Sequence, residues 1–302
     1  MFLNETDIPS ILVDARNLPR NYGLADLYRV ISESMSTPRF LGKMKSILES
    51  VRSIKIAGFE VELSWSGRES ISLGTLFDYL NRKQLIIAVD EAQYLRGPRG
   101  RVFLDALVHA YDYDRNLTFI LTGPEVGFLY EYLGIDNPDS PLYGRYAKTI
   151  MLDRFNPSQS LEFLREGFSE AGLTLPRAYL EELVSTFDGI PGWLTLAGNY
   201  VLSKKSPVPI SELEDYAVKT AVKELSKLKE IHGPRIIRIL KLIAEGYNSW
   251  GTLKAGLERM EKRLVSKSSL SRMINTLTKL SIIQDYRFLD PIYEKAAKQI
   301  EH

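Results

Sequence analysis

The chain has 302 residues, 44% of them hydrophobic and 25% charged, which suits a globular protein of two or three domains. Its net charge of +1 gives no global field toward nucleic acid or membrane, and with no cysteine it has neither disulfides nor thiolate metal sites. His109, His232 and His302 are too scattered for a metal motif, no stretch approaches the length of a membrane span, and MFLNETDIPS lacks the basic-then-apolar order of a signal peptide, so the expected location is the cytoplasm.

Ser10-Ile11-Leu12-Val13-Asp14 reads as a short buried strand. Leu24 to Val51 is helical in pattern, with Pro38 marking a break. From Ile54 to Trp65 apolar residues alternate on either side of Ala57-Gly58, as in a small hairpin, and a helix is expected over Ser70 to Arg82. Leu85-Ile86-Ile87-Ala88-Val89 is an uninterrupted apolar run, the pattern of a parallel strand buried on both faces. It ends on Asp90 and Glu91, and ligands of open α/β sheets gather beyond the carboxyl ends of strands. Two acids there suit a cation and a water, although a strand end whose acids start a loop or cap a helix has the same sequence. A Gly/Arg-rich loop, Arg96 to Arg101, leads to a helix with Phe103, Leu104, Leu107 and Val108 on one face. Leu117 to Leu121 reads as a third buried strand ending at Thr122, and Lys148 to Leu152 as a fourth. Strands alternating with helices predict a parallel α/β sheet.

From Pro157 to about Leu225 the spacing is helical throughout, broken by the turn Gly189-Ile190-Pro191-Gly192-Trp193, with Pro207 to Pro209 as a linker. From His232 onward three amphipathic helices precede two short strand-like segments around Gln284-Asp285, the order of a winged helix-turn-helix. The expected domains are 1–153, an α/β core; 154–226, a helical lid; and 227–302, a winged helix. Ser268, Arg272, Asn275 and Lys279 share the polar face of the third helix, where a recognition helix meets the major groove. From Ala217 to Lys279 basic residues outnumber acidic ones 14 to 5, but from Pro207 to His302 only 17 to 12, so this face suits DNA, a protein or intramolecular contact, or a purely structural role.

In this order, the Leu85–Glu91 strand, Thr122 at a strand end, Arg145 before the next strand, Gly189-Ile190-Pro191 and a closing winged helix resemble the archaeal ATPase family, of the STAND and AAA type of P-loop NTPase. The resemblance implies a P-loop-NTPase-like parallel sheet, ATP and Mg²⁺ as ligands, and a switch between states. It implies Asp90 on Mg²⁺, Glu91 as base or water-positioning group, and Gln93 near water or phosphate. Thr122 would be a polar sensor, Arg145 an arginine finger acting in cis or, in an oligomer, in trans, and Pro191 part of a nucleotide-facing turn. The ordinary alternatives are a solvent-facing helix start for Gln93, a surface arginine for Arg145 and a helix–helix turn for Pro191. The alternative function is a non-enzymatic DNA-binding or scaffold protein acting through its winged helix.

One family element is missing. The sequence G-x-x-x-x-G-K-[ST], whose backbone N–H groups and lysine cradle phosphates, does not occur: Gly42-Lys43 is followed by Met44, and Thr37 stands where the first glycine belongs. In the family, Met1-Phe2-Leu3-Asn4-Glu5 would fall near the end of the helix after that loop. The expectation is therefore a chain lacking its first strand, through a start placed too late or through degeneration. The sheet edges at Leu117–Leu121 and Lys148–Leu152 would be unpaired, and ATP binding poor.

Overall fold

The computed structural model describes residues 7–58, 60–64, 70–97, 99–124 and 126–300, so Phe59 and Trp65 of the hairpin reading, Pro98 of the loop, and Met1 to Glu5 lie outside the described residues. The chain forms two compact units, Met1–Ala147 and Lys148–His302.

The first unit is built on a three-stranded parallel sheet in the order β1 (Ser10–Asp14), β4 (Leu85–Asp90), β5 (Leu117–Leu121). Its register places Asp14 beside Asp90 and Val89 beside Leu121. Helices α1 (Leu24–Met35) and α2 (Pro38–Glu49) follow β1. Pro38 begins α2 at a position whose N–H would be unpaired in any case, behind Thr37, whose hydroxyl accepts from the Phe40 N–H. The hairpin is β2 (Ile54–Ala57) and β3 (Glu60–Leu63), and α3 (Leu73–Leu80) leads to β4. Helix α4 (Gly100–Tyr113) returns the chain to β5, and α5 (Val126–Leu133) follows.

Alternation sends Ile11, Val13, Ile87, Val89, Phe119 and Leu121 to one face, where they join the core with Leu27, Ile31, Leu76, Leu80, Phe103 and Leu107. The other face carries the row Leu12–Ala88–Ile120, of which Leu12 and Ile120 are 40% and 41% exposed. The central strand β4 is buried on both faces as expected, Ala88 being 5% exposed, whereas β1 and β5 leave this second face open at Leu12 and Ile120. Among the described residues β5 pairs with β4 alone, so it is a half-exposed edge strand rather than a buried one. Lys148 to Leu152 is not a strand. No strand among the described residues pairs with it, and Ile150, Met151 and Leu152 are exposed.

The second unit is helical. Helices α6 (Pro157–Glu170), α7 (Arg177–Phe187), α8 (Pro191–Lys204) and α9 (Ile210–His232) lead into α10 (Pro234–Ala244), α11 (Trp250–Glu261) and α12 (Lys267–Lys279). The wing is the antiparallel pair β6 (Ile283–Gln284) and β7 (Arg287–Phe288), and α13 (Pro291–Gln299) closes the chain. The three helices and wing have the expected winged-helix order. Helix α9 runs through residues 226 and 227, and one hydrophobic core extends from Leu164 to Ile300. Polar ties reinforce it. The Trp193 indole donates to Asp290 Oδ2 (2.6 Å), the N-cap of α13, and Tyr293 donates to Glu224 (2.6 Å). Lys295 pairs with Glu214. No described helix is long and apolar enough to cross a membrane.

The winged helix turns on Glu261, whose side chain is only 2% exposed and meets Arg235 (2.6 Å), Arg238 (2.9 Å) and Arg263 (3.0 Å). The Arg235 hydrogen bonds, then those of Arg263 and Arg238, outweigh burial and hold its carboxyl at about 2, against an ordinary 4.5. A depressed carboxyl stabilises the fold above its unfolded pKa, and that stabilisation is lost as pH falls toward the folded value. Glu261→Gln is expected to cost about 3 kcal/mol at neutral pH, by the ~1.4 kcal/mol carried by each pKa unit. Urea unfolding across pH checks this: the gap from wild type should narrow steadily below about pH 5.

Candidate nucleotide site at the carboxyl ends of the strands

The parallel register brings Asp14 and Asp90 side by side at the carboxyl end of the sheet. Adjacent strands lie only about 4.8 Å apart, so two carboxylates there repel unless a cation or donors intervene. Arg16 intervenes. Asp14 caps the short 3-10 turn Ala15–Asn17 by accepting from the Arg16 N–H (3.0 Å), and this brings the Arg16 guanidinium back onto the same carboxylate. Its Nε lies 3.0 Å from Asp14 Oδ1 and its Nη2 2.8 Å from Oδ2, a bidentate pair. The same guanidinium is 4.0 Å from Asp90 Oδ2 and 3.8 Å from Glu91 Oε1. Hydrogen bonding to Arg16 draws the Asp14 carboxyl below its ordinary range, and the same bond raises the guanidinium pKa.

Asp90 is held from the other side. Its Oδ1 accepts from the Thr122 hydroxyl and from the Glu91 N–H (3.1 Å). Glu91 has a left-handed backbone, φ 54°, an unusual conformation for a residue with a Cβ, and the 3-10 turn Ala92–Leu95 follows. Gln93, 5% exposed, donates to Glu91 Oε2 at 2.7 Å. Its own Oε1 is buried without a hydrogen-bond partner and faces Gly123, where a Cβ would approach it to 2.1 Å. Gly123 therefore leaves room for the Gln93 amide, and the amide fixes the acid. Three carboxylates thus gather around one guanidinium, and the Thr122 hydroxyl donates to one of them. The group carries two more negative charges than positive and presents oxygen atoms, the donor type that hard divalent cations take.

Of the sequence-derived candidates, Asp90, Glu91, Gln93 and Thr122 come together. Asp14 and Arg16 were missed. Asp14 ends an apolar strand just as Asp90 does, and that signal was available. Arg145 is not brought to this group. It forms a bidentate pair with Asp112 (3.0 and 2.7 Å) and donates to the Pro141 carbonyl (2.7 Å). Asp112 lies in the last turn of α4, which runs from the carboxyl end of β4 back to the start of β5, so Arg145 sits at the other end of the sheet. Pro191 is in the second unit, at the first position of α8. Its turn has a local packing role: Gly189, φ 67°, lies so close to the Phe155 carbonyl that a Cβ would come within 2.1 Å of it. On α12, Ser268, Arg272 and Asn275 are exposed and Lys279 is half-buried.

Residues 25–196, more than half of the chain, match the family described as an ATPase domain predominantly from Archaea. The chain belongs to this archaeal ATPase family. Residues 230–295 match the MCM protein C-terminal winged helix-turn-helix domain. Among solved structures, the Walker-type ATPase PABY2304 of Pyrococcus abyssi is 31% identical, with a TM-score of 0.78 over 98% of this chain and 85% of that one. A point mutant of Thermotoga maritima RuvB (16% identical, TM-score 0.36, 93% and 83% of the two chains) is much more distant. So is the Aeropyrum pernix ORC1 protein in complex with DNA (16%, 0.36, 97% and 78%), and neither carries an argument. No curated protein matches. Membership in the archaeal ATPase family implies the use of a nucleotide and Mg²⁺.

Proposed function

We propose that the chain is a nucleotide-dependent switch protein of the archaeal ATPase family, with its metal-binding half formed within residues 1–302 and its phosphate-binding half not encoded there. The observation that supports this most is the gathering of Asp14, Asp90 and Glu91 around Arg16, with Thr122 hydrogen-bonded to Asp90. In this reading Asp90 takes Mg²⁺ and Glu91, fixed by Gln93, orients or deprotonates a water. Thr122 senses the γ-phosphate through the Asp90 carboxylate it already touches. The oxygen set suits Mg²⁺. It does not suit the phosphates, because the chain has no G-x-x-x-x-G-K-[ST] and Arg16 is engaged by Asp14. No hydrolysis step is assigned to these residues alone, and Arg145, held by Asp112, has no part in the reading.

The output is the second unit. Because Trp193, Glu224 and Glu214 tie the lid helices to α13, a switch acting on the winged helix has to move residues 148–302 as one body. The test is calorimetric titration of residues 1–302 with MgATP. The expected affinity is about millimolar or weaker, about −4 kcal/mol. A micromolar dissociation constant would overturn the division into halves.

The second reading, a DNA-binding or scaffold protein acting through its winged helix, draws on the exposed Ser268, Arg272 and Asn275 of α12 and the basic excess around them. Fluorescence anisotropy with duplex DNA tests it. Binding that weakens with salt, with Arg272→Ala and Lys279→Ala each lowering the salt slope by about one, would favour DNA as the partner. Salt-independent or absent binding would assign the α12 face to a protein.

A further inference from the structure

A second group of metal-ligating side chains lies at the opposite end of the sheet. Asp78 is on the last turns of α3, just before β4. His109 is on α4, and Asp114 is the C-cap of α4, just before β5. One ligand atom from each of the three lies within 4.8 Å of the other two. His109 Nε2 is 2.7 Å from Asp78 Oδ1, and the Tyr113 ring lies beside the imidazole at 5.1 Å. Asp114 sets this group apart from an ordinary surface ion pair. The residue is 5% exposed, and its Oδ2 is buried with no hydrogen-bond partner. An unpaired buried carboxylate oxygen costs free energy that a hydrogen bond or a metal would recover. The backbone carbonyls at the end of α4 add negative potential at the same place. Of the nearby arginines, Arg145 is paired with Asp112, on which the charge of Arg115 also acts.

We propose that Asp78, His109 and Asp114 form a binding site for a divalent ion of the Zn²⁺ class, separate from the acids around Arg16. One imidazole nitrogen and two carboxylate oxygens, with water completing the shell, form a donor set that suits zinc and its neighbours, because imidazole favours them over Mg²⁺ and Ca²⁺. Ligand atoms in a tetrahedral zinc site stand roughly 3.4 Å apart, given bonds of about 2.0–2.2 Å. The exposed Asp78 side chain moves out and the Asp114 carboxylate turns in. On binding, the ion takes the place of the proton between His109 Nε2 and Asp78: a protonated ring loses that proton to water, a neutral ring shifts to its Nδ1–H tautomer, and Nε2 gives its lone pair to the metal. The ion would staple α3 to α4 where both enter the sheet, at the end away from Asp90.

The experiment uses residues 1–302, freed of metal by chelation and without nucleotide. Zn²⁺ is titrated calorimetrically, and Co²⁺ is followed by its visible absorption. One equivalent should bind with micromolar affinity or better and raise Tm. Asp114→Asn and His109→Gln should each weaken binding at least tenfold and abolish the Co²⁺ band, while Asp90→Asn should leave both unchanged. His109 is half-exposed, so His109→Gln and Asp78→Asn carry the test should Asp114→Asn not fold. Absence of Zn²⁺ binding, or an affinity kept in the His109→Gln/Asp78→Asn double variant, would overturn the proposal.

Discussion

Mutual repulsion of carboxylates at the end of a parallel sheet is the constraint around which the first unit is arranged. In-register pairing of β1 and β4 forces Asp14 and Asp90 together, and Glu91 follows at once. Arg16 neutralises one charge of three. The rest is met by donors: the Thr122 hydroxyl and the Glu91 N–H for Asp90, and the Gln93 amide for Glu91. Each of these depends on the backbone. Thr122 reaches Asp90 because β5 is in parallel register with β4, and Gln93 is close because Gly123 has no side chain. The arrangement gathers more negative than positive charge, which is the ground for the proposed cation site.

The sheet that carries this group is buried on both faces only at its central strand, where Ala88 is 5% exposed. Helices α1 to α4 bury Ile11, Val13, Ile87 and Val89, while Leu12 and Ile120 remain half-exposed and β5 has a single neighbour among the described residues. The second unit solves its packing differently. One continuous core joins helices α6 to α9 to the winged helix, within which Glu261 is buried among three arginines. The Trp193–Asp290 bond joins the first residues of one helix to the cap of another across nearly a hundred positions of sequence.

Local pattern and tertiary partnership divided what the sequence could tell. The Leu85–Val89 run and the acids after it were readable because burial and strand polarity are local properties, and so was the winged helix, whose apolar residues recur at helical spacing. Asp14 obeyed the same rule as Asp90, but it was passed over because a single acid ends a shorter run. Lys148–Leu152 has strand-like composition and no strand partner among the described residues, and composition does not reveal a partner. Arg145 looked free in sequence, but its counter-charge, Asp112, lies 33 positions away. Asp78, His109 and Asp114 match no motif spacing. Only the packing of α3 against α4 assembles them.

The proposal that Mg²⁺ binds at Asp90, where Arg16 now offsets part of the negative charge, is tested most directly by thermal unfolding of Arg16→Ala with and without Mg²⁺, a cation that favours oxygen ligands over imidazole. A ligand at about 100 times its dissociation constant adds about 2.7 kcal/mol to the folded state. The account predicts that Mg²⁺ raises the melting temperature of Arg16→Ala by several degrees more than that of wild type, and that adding Asp90→Asn removes the gain. Equal Mg²⁺ responses in wild type and Arg16→Ala would contradict it.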